Sequence, residues 1–283
     1  MDVCTQVDEL RRSIRAWRKQ EMRVALVPTM GNLHTGHLAL VRHARVIADR
    51  VVVSIFVNPM QFGPDEDYES YPSSMDRDKA VLIDEDTDLL FVPTVQAMYP
   101  HGSGNTTVVA VPGLNSLLEG EHRPTHMDGV STVVAKLFGM VQPDVAVFGE
   151  KDYQQLLLIQ RMVHDLWLSI EIAAVETVRE IDGLAMSSRN SYLQPQERKV
   201  APELYRLLCR VKTRVESGET GFAGIEAAAM EELAVAGFRP DYVSIRRATD
   251  LGEPGREDTR LRALAAAWLG TARLIDNIGI SIT

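Results

Sequence analysis

Five short apolar runs, most of them followed by an amphipathic stretch, constrain the fold of this chain more than any other feature. They are RVALVP at 23–28, VVVSIFV at 51–57, DLLFVP at 88–93, VAVFG at 145–149 and IEIAAVE at 170–176. Each is short, rich in β-branched residues and bounded by loop-forming residues, so each reads as a buried strand. Between them LALVRHARVIAD from 38, MDRDKAVLIDE from 75, GVSTVVAKLFGMV from 129 and DYQQLLLIQRMV from 152 read as helices. Alternating strand and helix predicts an α/β fold, a doubly wound parallel sheet covered on both faces, with ligands in the crevice at the carboxyl ends of the strands. The polar motifs described below all fall at those ends.

The texture changes after residue 176. A loop, REIDGLAMSSRN, leads into helical stretches at 194–216 and 222–236. These predict a first domain over 1–176 and a smaller α+β domain over 177–283. LRALAAAWLG at 261–270 has helix-forming composition but is also compatible with a strand paired to ARLIDNIGI, and TDLGEPGRED at 249–258 reads as a surface loop. No run of about 18 apolar residues occurs and the N-terminus lacks an apolar signal stretch, which predicts a cytoplasmic protein without a membrane partner. Cys4 and Cys209 match no metal or redox spacing and read as reduced thiols. A formal net charge of −9 argues against a nucleic-acid-coating surface, so an anionic ligand would need a local basic island.

PTMGNLHTGH at 28–37 lies where a strand gives way to a helix. Gly31 and Gly36 allow a sharp bend, and free N–H groups at the helix start favour phosphate. His37 and Leu38 stand where a Walker loop has Lys and Ser or Thr, which excludes that type of site. His34 and His37 fall on one side of the first helical turn and could donate to phosphate oxygens, although paired histidines are also ordinary capping residues. In FGEKDYQQL at 148–156, Lys151 offers a compact positive charge at a second strand-to-helix junction, while Gln155 could face the pocket or solvent. GLAMSSRNSYL at 183–193 supplies Ser187, Ser188 and Arg189, and FVNPMQFGPDEDYESYP at 56–72 supplies the amides Asn58 and Gln61. Asp76 and Asp78 could touch a metal or simply form a charged helix face; His126 could line the pocket or satisfy a buried hydrogen bond; Trp17, Trp167 and Trp268 read as packing residues.

Together PTMGNLHTGH, SIFVNPMQF, LEGEHRPTH, FGEKDYQQL, MSSRN and AAWLGTARLIDN resemble the pantothenate synthetase family over almost the whole chain, in order and at fitting spacings. The resemblance implies a Rossmann-like first domain, a C-terminal domain closing over ATP, Mg²⁺ dependence and a homodimer. It implies ATP binding by Met30, Gly31, Asn32, Leu33, His34, Thr35, Gly36 and His37, by Gly149, Glu150, Lys151 and Asp152, and by Val178, Met186, Ser187, Ser188 and Arg189. His37 would be the proton donor, with His34, Lys151 and Arg189 beside the phosphates; Gln61 and Gln155 would hold pantoate, and Gln61 would also meet β-alanine. The implied reaction is ATP-dependent condensation of pantoate with β-alanine through a pantoyl adenylate. Two positions depart from the family pattern, Ser73 where Arg is usual and Met127 where Phe is usual; no protein ligand for Mg²⁺ is assigned. Rival readings are a nucleotidyltransferase acting on a phosphorylated acceptor, disfavoured by the neutral amides Gln61 and Gln155, and an inactive nucleotide-binding regulator.

Overall fold

The computed structural model describes residues 1–63, 66, 68–72 and 74–282, so Ser73 lies outside the described residues. The chain divides into two compact units, Met1–Glu150 with Gln155–Glu176, and Lys151–Gln154 with Thr177–Thr283. Residues Lys151–Gln154, which the sequence reading assigns to the first domain, thus group with the second.

In the first unit six parallel strands are hydrogen-bonded in the order β1-β4-β3-β2-β5-β6. They are β1 Asp2–Cys4, β2 Val24–Thr29, β3 Arg50–Ile55, β4 Leu89–Phe91, β5 Val145–Gly149 and β6 Glu171–Val175. The helices are α1 Val7–Arg18, α2 Thr35–Ile47, α3 Met75–Asp84, the single turns α4 Val95–Met98 and α5 Glu119–His122, α6 His126–Val141 and α7 Tyr153–Asp165, of which Tyr153 and Gln154 group with the second unit. Ala25 stands opposite Val51 on one side and Val145 on the other. Successive strand residues point to opposite faces. Ala25, Val27, Val51, Val53, Val145 and Val147 therefore share a core with Val41 and Ala44 of α2 and Leu82 of α3. Val24, Leu26, Val52, Ala146 and Phe148 are buried as well, with α6 against β2 and α1 against α6. Coverage of both faces explains why these strands read as unbroken apolar runs instead of alternating ones.

Successive strands run outward from β2 through β3 to β4, whereas β5 is laid down on the other side of β2. The β2/β5 boundary is therefore the topological switch point, where doubly wound sheets hold their ligands at the carboxyl edge. The segment Met30–His34 leaves β2 at that edge and Glu150 follows β5 there.

The second unit is a three-stranded antiparallel sheet in the order β7-β8-β9, with β7 Arg239–Arg247, β8 Arg260–Leu269 and β9 Ala272–Ser281. Its core joins the sheet to α8 Pro195–Val200, α9 Glu203–Glu216 and α10 Phe222–Val235 through Leu204, Leu208, Ile225, Leu233, Ala265 and Leu274. The helical stretch expected over 194–216 is thus two helices. Pro202 at the start of α9 lacks an N–H and its ring crowds the carbonyl four residues back, which breaks the run. LRALAAAWL is a strand despite its alanines: β8 is paired along both edges, and sheet pairing outweighs the helical preference of alanine. Trp167, expected to pack, follows α7 with φ +52° and is 90% exposed.

Candidate active site

At the switch point the backbone of the first motif turns through Gly31 at φ +84° and Asn32 at φ +50°. A Cβ on Gly31 would come within 3.0 Å of Ile55 Cγ2 and 3.2 Å of Asp78 Oδ2, so the loop passes too close to β3 and α3 for a side chain. Thr29 Oγ1 donates to the Ser54 carbonyl at 2.9 Å and accepts from Gly31 N–H at 3.2 Å. Asn32 N–H and Leu33 N–H donate to the two carboxylate oxygens of Asp78, at 2.7 and 2.9 Å, and Ser74 Oγ donates to the second of these at 2.9 Å.

The histidines complete the loop by capping α2 reciprocally. His34 N–H donates to His37 Nδ1 at 3.3 Å, Gly36 N–H donates to His34 Nδ1 at 3.2 Å, and the ring centroids are 4.0 Å apart. An Nδ1 that accepts from a backbone N–H carries no proton, so each neutral ring must carry its proton on Nε2. The cap fixes the tautomer of both imidazoles, and each presents an Nε2–H donor.

This narrows the expectation that free backbone N–H groups would cradle a phosphate. Those of Gly31, Asn32, Leu33, His34 and Gly36 already have protein acceptors. The same hydrogen bonds set both imidazoles on a rigid frame. Asp78 is likewise neither part of a charged helix face nor a poised metal ligand: it is 1% exposed and both its oxygens are engaged. Asp76, two residues earlier on α3, is exposed. Among the described residues no group of three or more His, Cys, Asp and Glu side chains is disposed to hold a metal ion.

The segment after β3 forms a 3-10 turn, Pro59–Gln61, against α6. Asn58 is fully buried, and its side chain accepts from Met60 N–H at 3.2 Å and Tyr99 OH at 2.6 Å while donating to the Gly129 carbonyl at 3.0 Å and to Gln61 Oε1 at 3.1 Å. A Cβ on Gly129 would lie 2.3 Å from the Met60 carbonyl oxygen, so only glycine lets α6 approach this turn.

The Gln61 carbonyl is held from the other side. Arg123 Nη2 donates to it at 3.1 Å and His126 Nδ1 lies 2.8 Å away, while Arg123 Nη1 lies 3.1 Å from His126 Nε2. A guanidinium only donates, so His126 Nε2 accepts and Nδ1–H donates to Gln61. Burial, and then the neighbouring Arg123 charge, lower the His126 pKa to about 4, against the smaller upward pull of the Gln61 carbonyl. Burial by itself would raise the Glu66 carboxyl, but the Arg123 fork at 2.7 and 2.5 Å outweighs it and the net shift is downward. Of the two roles expected for His126, a pocket wall or a satisfied hydrogen-bond partner, the contacts support the second. Met127, the departure from Phe, is buried in the first turn of α6.

In the second unit Asn277 Nδ2 donates to the Lys151 carbonyl at 2.8 Å and its Oδ1 accepts from Arg262 Nε at 2.7 Å. Tyr153 OH donates to the Ala248 carbonyl at 2.9 Å, and the Arg262 guanidinium stacks 3.9 Å from the Tyr153 ring. The Lys151 ammonium lies 3.4 Å from Asp152. Val178 and Met186 face each other across a short hairpin, joined by the bond from Met186 N–H to the Val178 carbonyl at 3.0 Å. Ser187 caps the 3-10 turn Ser188–Tyr192 by accepting from Arg189 N–H at 3.3 Å. Arg179, at the base of the hairpin, is paired with Asp276 at 2.6 and 2.9 Å and stacked 3.7 Å from the Tyr205 ring.

Gly149 ends β5 and Gln155, in the first turn of α7, is half-buried. Sequence reasoning missed Tyr99, Arg123, Glu66, Arg179, Asp276 and Asn277 as supports. For Arg123, Asp276 and Asn277 a signal existed, since LEGEHRPTH and AAWLGTARLIDN contain them; Tyr99 had none.

A doubly wound parallel sheet whose switch-point loop carries two reciprocally capping histidines defines a Rossmann-like α/β protein with its candidate site at the carboxyl edge of the sheet. The sequence model of the family described as pantoate-beta-alanine ligase matches residues 2–279. Pantothenate synthetase of Thioalkalivibrio sulfidiphilus is 55% identical over 94% of this chain and 93% of its own length. The crystal structure of pantothenate synthetase from Thermus thermophilus is similar with a TM-score of 0.91 at 48% identity, over 98% of this chain and 99% of that one. That of pantoate-beta-alanine ligase from Francisella tularensis, complexed with beta-gamma ATP and beta-alanine, is similar with a TM-score of 0.82 at 31% identity, over 98% and 97%. The chain belongs to the pantoate-beta-alanine ligase family and is an enzyme of the ligase class.

Proposed function

We propose that the chain condenses (R)-pantoate with β-alanine, using ATP and releasing pantothenate, AMP and pyrophosphate, by way of a pantoyl adenylate. Family membership supports the overall reaction, and the Francisella relative was solved with an ATP species and β-alanine. The observation that carries the mechanism is the reciprocal His34–His37 cap, which orients two neutral donors at the switch point.

A free carboxylate is a poor acyl electrophile, so activation precedes amide formation. In the first step a pantoate carboxylate oxygen attacks the α-phosphorus of ATP, the bond to the bridging oxygen breaks, and pyrophosphate leaves. His37, as proton donor, and His34 place Nε2–H groups on the phosphate oxygens, while Lys151 and Arg189 add fixed positive charge as negative charge spreads over them. The family resemblance assigns the nucleotide to Met30–His37, Gly149–Asp152, Val178 and Met186–Arg189. In the second step the neutral β-alanine amine attacks the pantoyl carbonyl, the carbon–oxygen bond to AMP breaks, and the amine proton passes to solvent. Gln61 and Gln155 hold pantoate through neutral amides, which leave its carboxylate more nucleophilic than a guanidinium would, and Gln61 also meets β-alanine.

The resemblance implies Mg²⁺, and Asp78, whose two oxygens already accept loop N–H groups, does not fit as a protein ligand for it. When bound it supplies charge neutralisation to the phosphates. We read the enzyme as a cytoplasmic homodimer; sedimentation equilibrium at twice 31.5 kDa is the expected result.

The deciding experiment is pantoate-dependent release of pyrophosphate from ATP, with and without β-alanine, in the wild-type chain and His37→Ala. Release that needs pantoate, joined by AMP and a new amide only with β-alanine and largely lost in the variant, is the expected outcome. Release without pantoate dependence would overturn the substrate assignment.

A further inference from the structure

The contacts around Asn58 decide an orientation that a side-chain amide by itself leaves open. The two ends of an amide are told apart only by their partners. Two partners of Asn58 are backbone groups of fixed character: Met60 N–H can only donate and the Gly129 carbonyl can only accept. They place Asn58 Oδ1 towards Met60 and Nδ2 towards Gly129. The second Nδ2 hydrogen then goes to Gln61, so the Gln61 atom facing it is the oxygen, Oε1. The other partner of Asn58 Oδ1 is Tyr99 OH at 2.6 Å, which must donate. Tyr99 is 1% exposed, directly follows α4 and lies beneath this turn with Lys136 Nζ 5.2 Å from its ring centroid.

We infer that Tyr99 is a positioning residue: its hydroxyl joins Met60 N–H and the Gly129 carbonyl in holding Asn58, and through Asn58 it steadies the Gln61 amide with Oε1 on Asn58 Nδ2, which leaves the Nε2–H donors of Gln61 for an acceptor oxygen of the acid substrate. This rests on the proposed role of Gln61 in pantoate binding and adds its polarity and a buried hydroxyl that helps to hold it. The relay fits a carboxylate or hydroxyl oxygen and rejects a ligand presenting a donor at the same place, because rotating Gln61 would set its NH₂ against the NH₂ of Asn58. Burial raises the Tyr99 pKa to about 12, so the hydroxyl keeps its proton, and its donating role, throughout the neutral range.

The test is a double-mutant cycle on the full chain, with steady-state constants for pantoate and for ATP measured in Tyr99→Phe, Gln61→Ala and the double variant. Tyr99→Phe keeps the ring volume and removes one hydrogen bond. It should raise KM for pantoate about 3- to 10-fold, with KM for ATP unchanged and kcat within about twofold. In the Gln61→Ala background the same replacement should have no further effect, since the group being oriented is gone. A purely structural role would instead disturb both substrates in both backgrounds. Unchanged pantoate KM in Tyr99→Phe, or an effect that persists in full without Gln61, would overturn the inference while leaving the role of Gln61 standing. If Gln61→Ala itself leaves pantoate KM untouched, the assignment of Gln61 fails and the inference falls with it.

Discussion

Replacing His126 by Asn should flatten the acid limb of the protein's stability curve. In the folded chain His126 is neutral, with Nδ1–H on the Gln61 carbonyl and Nε2 facing the Arg123 guanidinium. Its pKa is lowered from an ordinary 6.5 to about 4. Between those values the unfolded chain binds a proton that the folded chain refuses, so stability is full above about pH 6.5 and declines as pH falls towards 4. About two and a half pH units at about 1.4 kcal/mol each give a loss of roughly 3–4 kcal/mol, a large part of the 5–15 kcal/mol typical of a domain. The Asn amide nitrogen can take the place of Nδ1 and still donate to Gln61, but it does not titrate. Glu66, whose lowered pKa also costs stability on acidification, remains in both proteins and keeps the Arg123 fork that is the main cause of lowering it, so the difference between them reports chiefly on the imidazole. Urea unfolding at pH steps from 7 to 4 reads this out, with Trp268→Phe as the background so that Trp17 and Trp167 report on the first unit. Wild-type and variant curves running parallel over that range would refute the argument.

Three other replacements probe the frame of the site. Asp78→Asn turns one oxygen that accepts a loop N–H into a donor, leaving Asn32 or Leu33 without its acceptor at a cost of about 1–3 kcal/mol; KM for ATP should rise more than KM for pantoate. Gly129→Ala puts a methyl 2.3 Å from the Met60 carbonyl oxygen, where only backbone can yield, so thermal unfolding should show about 1–3 kcal/mol of destabilisation with a raised pantoate KM. Gln155→Arg should tighten pantoate binding and slow the first step, because a guanidinium neutralises the attacking carboxylate; faster single-turnover adenylation would count against the neutral-amide argument.

The parts of the fold legible in the sequence were those fixed by local burial. Runs such as RVALVP and VAVFG announce strands covered on both faces, and all five runs became strands of one parallel sheet. Asp2–Cys4 was overlooked because three residues carry no periodicity, and β7 was missed although Val243 and Ile245 alternate with polar neighbours. β8 was ambiguous for a physical reason: alanine packs on either element, and pairing with β7 and β9 decided the outcome. At the site, the His34–His37 pair was legible since both residues belong to one helical turn. The supports were not. Asp78 reaches the loop from more than forty residues away, and Tyr99 meets Asn58 across a similar separation, so nothing in the local pattern joins them. Two of the loop N–H groups, those of Asn32 and Leu33, are taken for the same reason by an acceptor from a distant helix, while Gly31, His34 and Gly36 donate to side chains of the motif itself.

That long-range grip sets an uneven tolerance to substitution. The donors at 32 and 33 are backbone groups, which every residue except proline supplies, so replacing Asn32 or Leu33 leaves the grip itself intact whatever else it disturbs. The acceptor is a side chain of one length carrying two oxygens, and at 1% exposure it has no room for a substitute that reaches the loop by another path. In a saturation scan position 78 should therefore be far less forgiving than the loop it supports, although it lies outside every motif by which the site is found.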